Sequence, residues 1–177
     1  MDTQFSGVKV EIIQGDISNQ EGIDAVVNAA NAQLMSGGGV AGAIHRAAGP
    51  ELEKACRPLA PITPGEAVIT DAFQLPNQKV IHCLGPVYGR DKPEDRLLAN
   101  CYENALQLAD DHQLKSIAFP AISTGIFGYP LKEAAQVMLQ TIQKVAVQLS
   151  SVQHIRIVLY GDNDRQLVKQ TLEQMLP

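Results

Sequence analysis

Residues 25–48 read AVVNAANAQLMSGGGVAGAIHRAA: a short apolar run, two asparagines, three consecutive glycines and then helical spacing. The β-branched start predicts a strand over Ala25 to Asn28, and the apolar positions after the glycines predict a helix over Val40 to Ala48. A strand that enters a glycine loop and leaves as a helix is one unit of an α/β fold. The same order recurs downstream, where residues 119–130, FPAISTGIFGYP, join an apolar strand over Ile117 to Ile122 to a long helix over Leu131 to Leu149. Further apolar runs at Val8 to Ile13, Ala67 to Thr70, Lys79 to Leu84 and Ile155 to Tyr160 bring the expected strands to six. Helical spacing marks Glu51 to Arg57, Glu94 to His112 and Asp164 to Met175. Pro50, Pro93 and Pro130 open helices, and acidic residues follow the first two, as the helix dipole favours. In the long helix Ala134, Val137, Met138, Thr141, Ile142, Val145 and Leu149 form one apolar stripe, which is a buried face.

A chain of 177 residues with 45% hydrophobic residues supports one domain over 1–177 with a substantial core. The three-proline stretch Pro58 to Gly65 reads as a surface loop rather than a linker. Without an apolar run of about 18 residues or a secretory signal in Met1 to Gly7, the expectation is a soluble, cytoplasmic protein with no membrane contact. Cys56, Cys83 and Cys101 are odd in number and scattered, which suits neither a disulfide framework nor a zinc site. His82 and Cys83 are neighbours in a strand, so their side chains point to opposite faces and cannot form a catalytic pair. The net charge of −5, with no cluster of lysine and arginine, disfavours nucleic acid as a partner. An acidic chain can still hold phosphate through backbone N–H groups.

Three loop segments carry residues that core packing does not require, and all three can share the strand-end edge where α/β sheets bind ligands. Gly15-Asp16-Ile17 fits an ordinary turn, with Asp16 accepting a local backbone bond, or a ligand acceptor. Asn28 and Asn31 bear carboxamides that suit paired ribose hydroxyls, although neighbouring backbone can satisfy either one. Gly37, Gly38 and Gly39, lacking Cβ atoms, let backbone amides come close to a ligand, and Val40 starts the helix behind them. Ser123, Thr124, Gly125, Ile126 and Phe127 form a strand-turn-helix cradle for a diphosphate, without the lysine of a P-loop or the glycine spacing of a dinucleotide site. Phe127 either covers a sugar or packs in the core.

Taken in order, Gly15-Asp16-Ile17, Asn28-Ala29-Ala30-Asn31, Gly37-Gly38-Gly39-Val40, Ala43-Ile44-His45-Arg46-Ala47-Ala48-Gly49 and Ala121-Ile122-Ser123-Thr124-Gly125 resemble the macrodomain family over nearly the whole chain. They look most like bacterial members of the MacroD-type subgroup, which removes mono-ADP-ribose from proteins and deacetylates O-acetyl-ADP-ribose. The resemblance implies a three-layer α/β/α fold with a mixed six-stranded sheet and ADP-ribose in a cleft across the strand ends. It implies that Asp16 accepts the adenine amino group, that the Ile17 backbone lies near adenine, and that Asn31 bonds the distal ribose. Gly37 to Val40 then face the diphosphate and that ribose, Ser123 to Phe127 wrap the diphosphate, and Phe127 shields the ribose. Tyr160 packs on adenine or is a strand-end core tyrosine. His45 and Arg46 match the family run and read as structural.

Many hydrolases of the subgroup carry aspartate where this chain has Ala41. Losing a general base slows a reaction by about 10²–10⁴-fold. The catalytic set is therefore read as Asn31 with Gly37, Gly38 and Gly39, which place water against a substrate phosphate without metal or cofactor. The expected partner is ADP-ribose or an ADP-ribosylated protein, and the expected state is a monomer. The alternatives are a non-catalytic reader of ADP-ribose and a regulator of an RNA-processing nuclease.

Overall fold

In the computed structural model, which describes residues 2–177, the chain starts with a hairpin. Strands β1 (Asp2–Phe5) and β2 (Val8–Gln14) pair antiparallel across Ser6 and Gly7, whose φ angles are +50° and +82°. Two positive-φ residues give the turn the twist that a two-residue hairpin needs. β1 corrects the expected six-stranded sheet to seven strands. Its sequence DTQF buries only Phe5, so it offers no apolar run or alternation to detect.

The other strands are β3 (Ala25–Ala29), β4 (Ala67–Asp71), β5 (Lys79–Cys83), β6 (Ser116–Phe119) and β7 (His154–Leu159). The helices are α1 (Gly39–Ala48), α2 (Pro50–Cys56), α3 (Glu94–Asp111), α4 (Leu131–Ala146) and α5 (Asp162–Met175), and a 3-10 turn at Arg57–Leu59 opens the loop predicted there. The sheet order is β1-β2-β7-β6-β3-β5-β4. Its five inner strands are parallel, and β1 and β4 close the edges antiparallel.

Alternation along the strands divides the core in two. Ile117 and Phe119 of β6 face α3, α4 and α5 and pack with Leu106, Met138 and Leu172. Ala118 between them faces α1 and α2 and packs with Val26, Ile44, Leu52 and Val80. The result is a three-layer α/β/α arrangement. The predicted stripe of α4 faces the core, with Val137 and Leu149 only partly buried, and the helix stops at Ala146 rather than Leu149. Because the five inner strands are parallel, the segments leaving β2, β3, β5, β6 and β7 all open on one edge. Among the described residues, no helix is long and apolar enough to cross a membrane.

At the opposite edge Asp110, near the end of α3, accepts N–H bonds from Ser150 (3.1 Å), Ser151 (2.7 Å) and Val152 (3.0 Å) and ties α3 to the entry of β7. Partial burial pushes the Asp110 carboxyl up, but the three N–H groups outweigh it and hold the pKa below the ordinary value. Replacing Asp110 with alanine strands these donors and should cost about 1–3 kcal/mol, read as a lower Tm at neutral pH. A depressed carboxyl stabilises fully above its unfolded pKa of about 4 and loses that contribution as pH falls through its folded value. The Tm values of parent and variant should therefore converge in strong acid; a gap that persists unchanged there would contradict the assignment.

Candidate functional site

The edge is built strand by strand. The Gly15 N–H donates to the Leu159 carbonyl at 2.9 Å, which extends the β2–β7 pairing by one residue and sets Asp16 and Tyr160 at neighbouring strand ends. Asp16 Oδ1 accepts the Ser18 hydroxyl (2.7 Å) and the Ser18 N–H (2.9 Å). These two bonds, aided by the charge of Arg46, hold the exposed carboxyl below its ordinary pKa against slight desolvation. The local turn is thus real, and Oδ2 still has no protein donor among the described residues. The Ile17 side chain is buried in the core beneath, and its N–H has no protein acceptor among the described residues. Tyr160 is 89% exposed, which rules out a core tyrosine.

Asn28 departs from the sequence expectation. It is fully buried in the middle of the sheet, where its Nδ2 donates to His82 Nδ1 at 3.0 Å. Its carboxamide is not presented to the edge, because β3 turns Asn28 towards the neighbouring strand and only the residues after Ala29 emerge. Burial, with the nearby His45, lowers the His82 pKa to about 3, so the ring is neutral. Its Nε2–H then donates to Thr70 Oγ1 (3.0 Å), whose hydroxyl in turn donates to the Asp71 carbonyl (3.0 Å). Cys56 Sγ lies 3.6 Å from the same nitrogen, and burial raises that thiol to about 11, so it stays protonated. Cys83 points to the other face and contacts the Cys101 carbonyl, as strand alternation requires.

Asn31 does emerge. Its Oδ1 accepts the Met35 N–H (3.0 Å) and its Nδ2 donates to the Met35 carbonyl (2.8 Å), closing residues 31–35 into a turn. The amide keeps one lone pair and one proton for a further partner. Gly37, Gly38 and Gly39 follow, all exposed, and Val40 rests on the core beneath. Helix α1 starts at Gly39 with no side-chain cap. Among the described residues, the N–H groups from Gly37 to Ala41 find no protein acceptor. They form a dipole-polarised donor set. Ala41 is buried in the first turn of α1. His45 is buried behind the loop, both ring nitrogens lack partners among the described residues, and burial lowers its pKa, so it is neutral and out of reach of the edge.

The third segment is a second donor set. Thr124 folds back on the Ala121 carbonyl, Gly128 bonds Gly125, and Tyr129 bonds Ser123. These bonds leave the N–H groups of Ser123, Gly125, Ile126 and Phe127 without acceptors among the described residues. Ile126 stands 96% exposed on the rim, whereas Phe127 is half-buried over the core shared with Ile17, Ala30, Leu34 and Val40. Phe127 therefore packs on the core with part of its surface left open. Ser123 takes φ +69°.

Three supports escaped sequence reading. A Cβ on Gly42 would sit 2.2 Å from the Gly37 carbonyl, so only glycine lets the helix approach its own loop. A Cβ on Gly85 would lie 2.1 Å from Ser123 Oγ. The buried Tyr102 hydroxyl accepts the Ile122 N–H at 3.1 Å and donates to the Pro120 carbonyl at 3.4 Å, fixing the start of the 121–130 turn. The two glycines follow or precede ordinary apolar residues, and Tyr102 reads as one more apolar helix position. Among the described residues, no group of three or more His, Cys, Asp or Glu side chains is placed to hold a metal.

The Macro domain family model matches residues 27–138, from β3 into α4. This chain belongs to the Macro domain family. An O-acetyl-ADP-ribose deacetylase of Klebsiella pneumoniae is 44% identical over 170 residues, covering 93% of this chain and 97% of its own. A variant of the Oceanobacillus iheyensis macrodomain solved with ADPR aligns at TM-score 0.94 and 41% identity, covering 99% and 97% of the two chains. The Trypanosoma brucei macrodomain in complex with ADP-ribose aligns at TM-score 0.86 and 33% identity, covering 92% of this chain and 68% of its own. The α/β macrodomain class read from the motifs is the fold of this chain, with a seventh strand added.

In this macrodomain Gly85→Ala should displace Ser123 and cost about 1–3 kcal/mol by overpacking. A thermal melt with an amide ¹H–¹⁵N spectrum checks it: the expected result is a lower Tm with shifts centred on Ser123 to Phe127. An unchanged spectrum there would show that Gly85 does not shape the turn.

Proposed function

We propose that this macrodomain binds ADP-ribose along the strand-end edge and hydrolyses mono-ADP-ribosyl esters of acidic side chains, O-acetyl-ADP-ribose, or both. The observation that carries the reading is the pair of unpaired N–H sets, Gly37 to Ala41 and Ser123 with Gly125 to Phe127, over one shared patch of core. Such donors, most of them open to solvent, can bond an anion in place of water, and a diphosphate between them would accept from both sides. Asp16 and Tyr160 lie towards β2, and the glycine loop follows β3, three strands away, which is roughly 14 Å at ordinary strand spacing. An extended ligand with a purine at the Asp16 end and a ribose at the Asn31 end fits that separation.

Under this reading Asp16 Oδ2 accepts the adenine amino group, the Ile17 N–H meets the ring, and Tyr160 packs on it. Asn31 uses its remaining lone pair and proton on the distal ribose. Phe127 excludes solvent above that sugar. In the reaction a water oxygen forms the new bond to the acyl carbon and the bond to the ribose oxygen breaks. The water is oriented by a substrate phosphate oxygen and the loop backbone, and its proton leaves with the ribose hydroxyl. No metal takes part. Positioning supplies the rate, since Ala41 offers no carboxylate.

The same Ala41 favours a second reading, a module that reads ADP-ribose without turnover. Titration calorimetry with ADP-ribose, followed by a turnover assay on a mono-ADP-ribosylated acidic substrate, separates the two. Binding with ester release above an Asn31→Ala control supports the enzyme; binding without release selects the reader, and no binding removes both. Asp16→Asn should weaken ADP-ribose by about 10–100-fold, the range for a hydrogen bond to a charged group. Ala41→Asp should leave turnover unchanged if the substrate phosphate positions the water, and a large gain would show that the reaction lacks a base.

A further inference from the structure

On the far side of the 121–130 turn lies a hollow of about 330 Å³ between the N-terminal ends of α3 and α4. Its aromatic wall is Tyr88 and Tyr129, with ring centroids 4.8 Å apart and planes inclined by 58°. Its polar wall is Glu94, Asp95, Glu133 and Gln136. We propose that this hollow seats an organic cation, the guanidinium or ammonium of a basic side chain on the polypeptide that carries the ADP-ribose.

Four observations carry it. None of the three carboxylates is in an ion pair among the described residues, although Arg90 nearby pairs with Asp91. Each of the two helix N-termini contributes roughly half a positive charge, so three carboxylates leave the hollow at about −2. Tyr129 is 5% exposed and lines the hollow, and its hydroxyl, which has no hydrogen-bond partner among the described residues, opens to the hollow instead of being sealed in the core. Desolvation, followed by the charges of Asp95 and Glu94, pushes that hydroxyl up to about 12, so it stays protonated beside acidic neighbours. The exposed Tyr88 ring, packed on Tyr129 and flanked by carboxylates, is a surface that a guanidinium or alkylammonium selects.

The hollow is also wired to the ligand edge. The Tyr88 N–H donates to the Phe127 carbonyl (2.8 Å) and the Tyr129 N–H to the Ser123 carbonyl (2.9 Å), so its aromatic wall hangs from the turn that offers the second donor set. Because that turn borders the cleft, a modified polypeptide leaving the cleft on its side would meet this wall. The assignment of the cation to that polypeptide rests on the ADP-ribose reading; the preference for a cation does not. An overall charge of −5 favours basic partners in the same sense.

The test is an amide ¹H–¹⁵N titration of the full chain with N-acetylargininamide, its neutral citrulline counterpart, spermidine and a two-arginine peptide. Arginine should shift Tyr88, Gly89, Glu94 to Arg96 and Glu133 at millimolar concentration, with added salt weakening it, and citrulline should not. Glu133→Gln and Asp95→Asn, both at exposed positions, should each weaken arginine by about two- to fivefold and leave ADP-ribose affinity unchanged. Equal shifts with citrulline, or none at these amides while ADP-ribose still binds, would overturn the cation site without touching the function proposed above. If spermidine saturates the hollow and the two-arginine peptide does not, the polypeptide assignment falls.

Discussion

Unpaired backbone N–H groups at the ends of parallel strands set the character of this molecule. A buried or half-buried amide proton without an acceptor is costly, and folded chains avoid it unless something outside the chain supplies the acceptor. Here two sets of amides without an acceptor among the described residues occur on one edge, one at the uncapped start of α1 and one in the Ser123 to Phe127 turn, and most of them are open to solvent. Arg46 is the one cationic side chain whose charge reaches Asp16 at that edge, and the donors themselves are main-chain dipoles rather than lysine or arginine side chains. This explains how an acidic chain can present a place for a diphosphate.

Such an edge needs rigid support, and the support lies one layer down. Asn28, His82 and Thr70 form a buried relay across β3, β5 and β4, holding the strands in register below the loops. Gly42 and Gly85 allow close backbone and side-chain approaches that any larger residue would push apart. Tyr102 reaches from α3 to grip both sides of the turn after β6. Asp110 ties the C-terminal end of the same helix to the opposite edge, while Tyr102 at its middle serves the site.

Much of this was legible in the sequence because its signals are local. The strand-loop-helix units after β3 and β6 announce themselves through apolar runs, glycines and helix-opening Pro130, and Gly37 to Val40 and Ser123 to Phe127 lie at those strand-to-helix junctions. The failures came from contacts that sequence spacing does not encode. β1 is too short and polar to show a period, so it is recognisable only by its pairing with β2. Asn28 and Asn31 have the same chemistry, and only the strand register decides that one faces His82 while the other leaves the sheet. Tyr160 could not be placed from its position at a strand end, because nothing in β7 reveals whether α5 covers it. Gly42 and Gly85 matter through atoms distant in sequence or hidden in a helix turn.

The central claim is that the two amide sets act as one anion site. An amide ¹H–¹⁵N titration with ADP-ribose measures it directly. The account predicts that Gly37 to Ala41 and Ser123 to Phe127 shift together and fit a single Kd. Shifts confined to one loop, or two sets with different affinities, would contradict it.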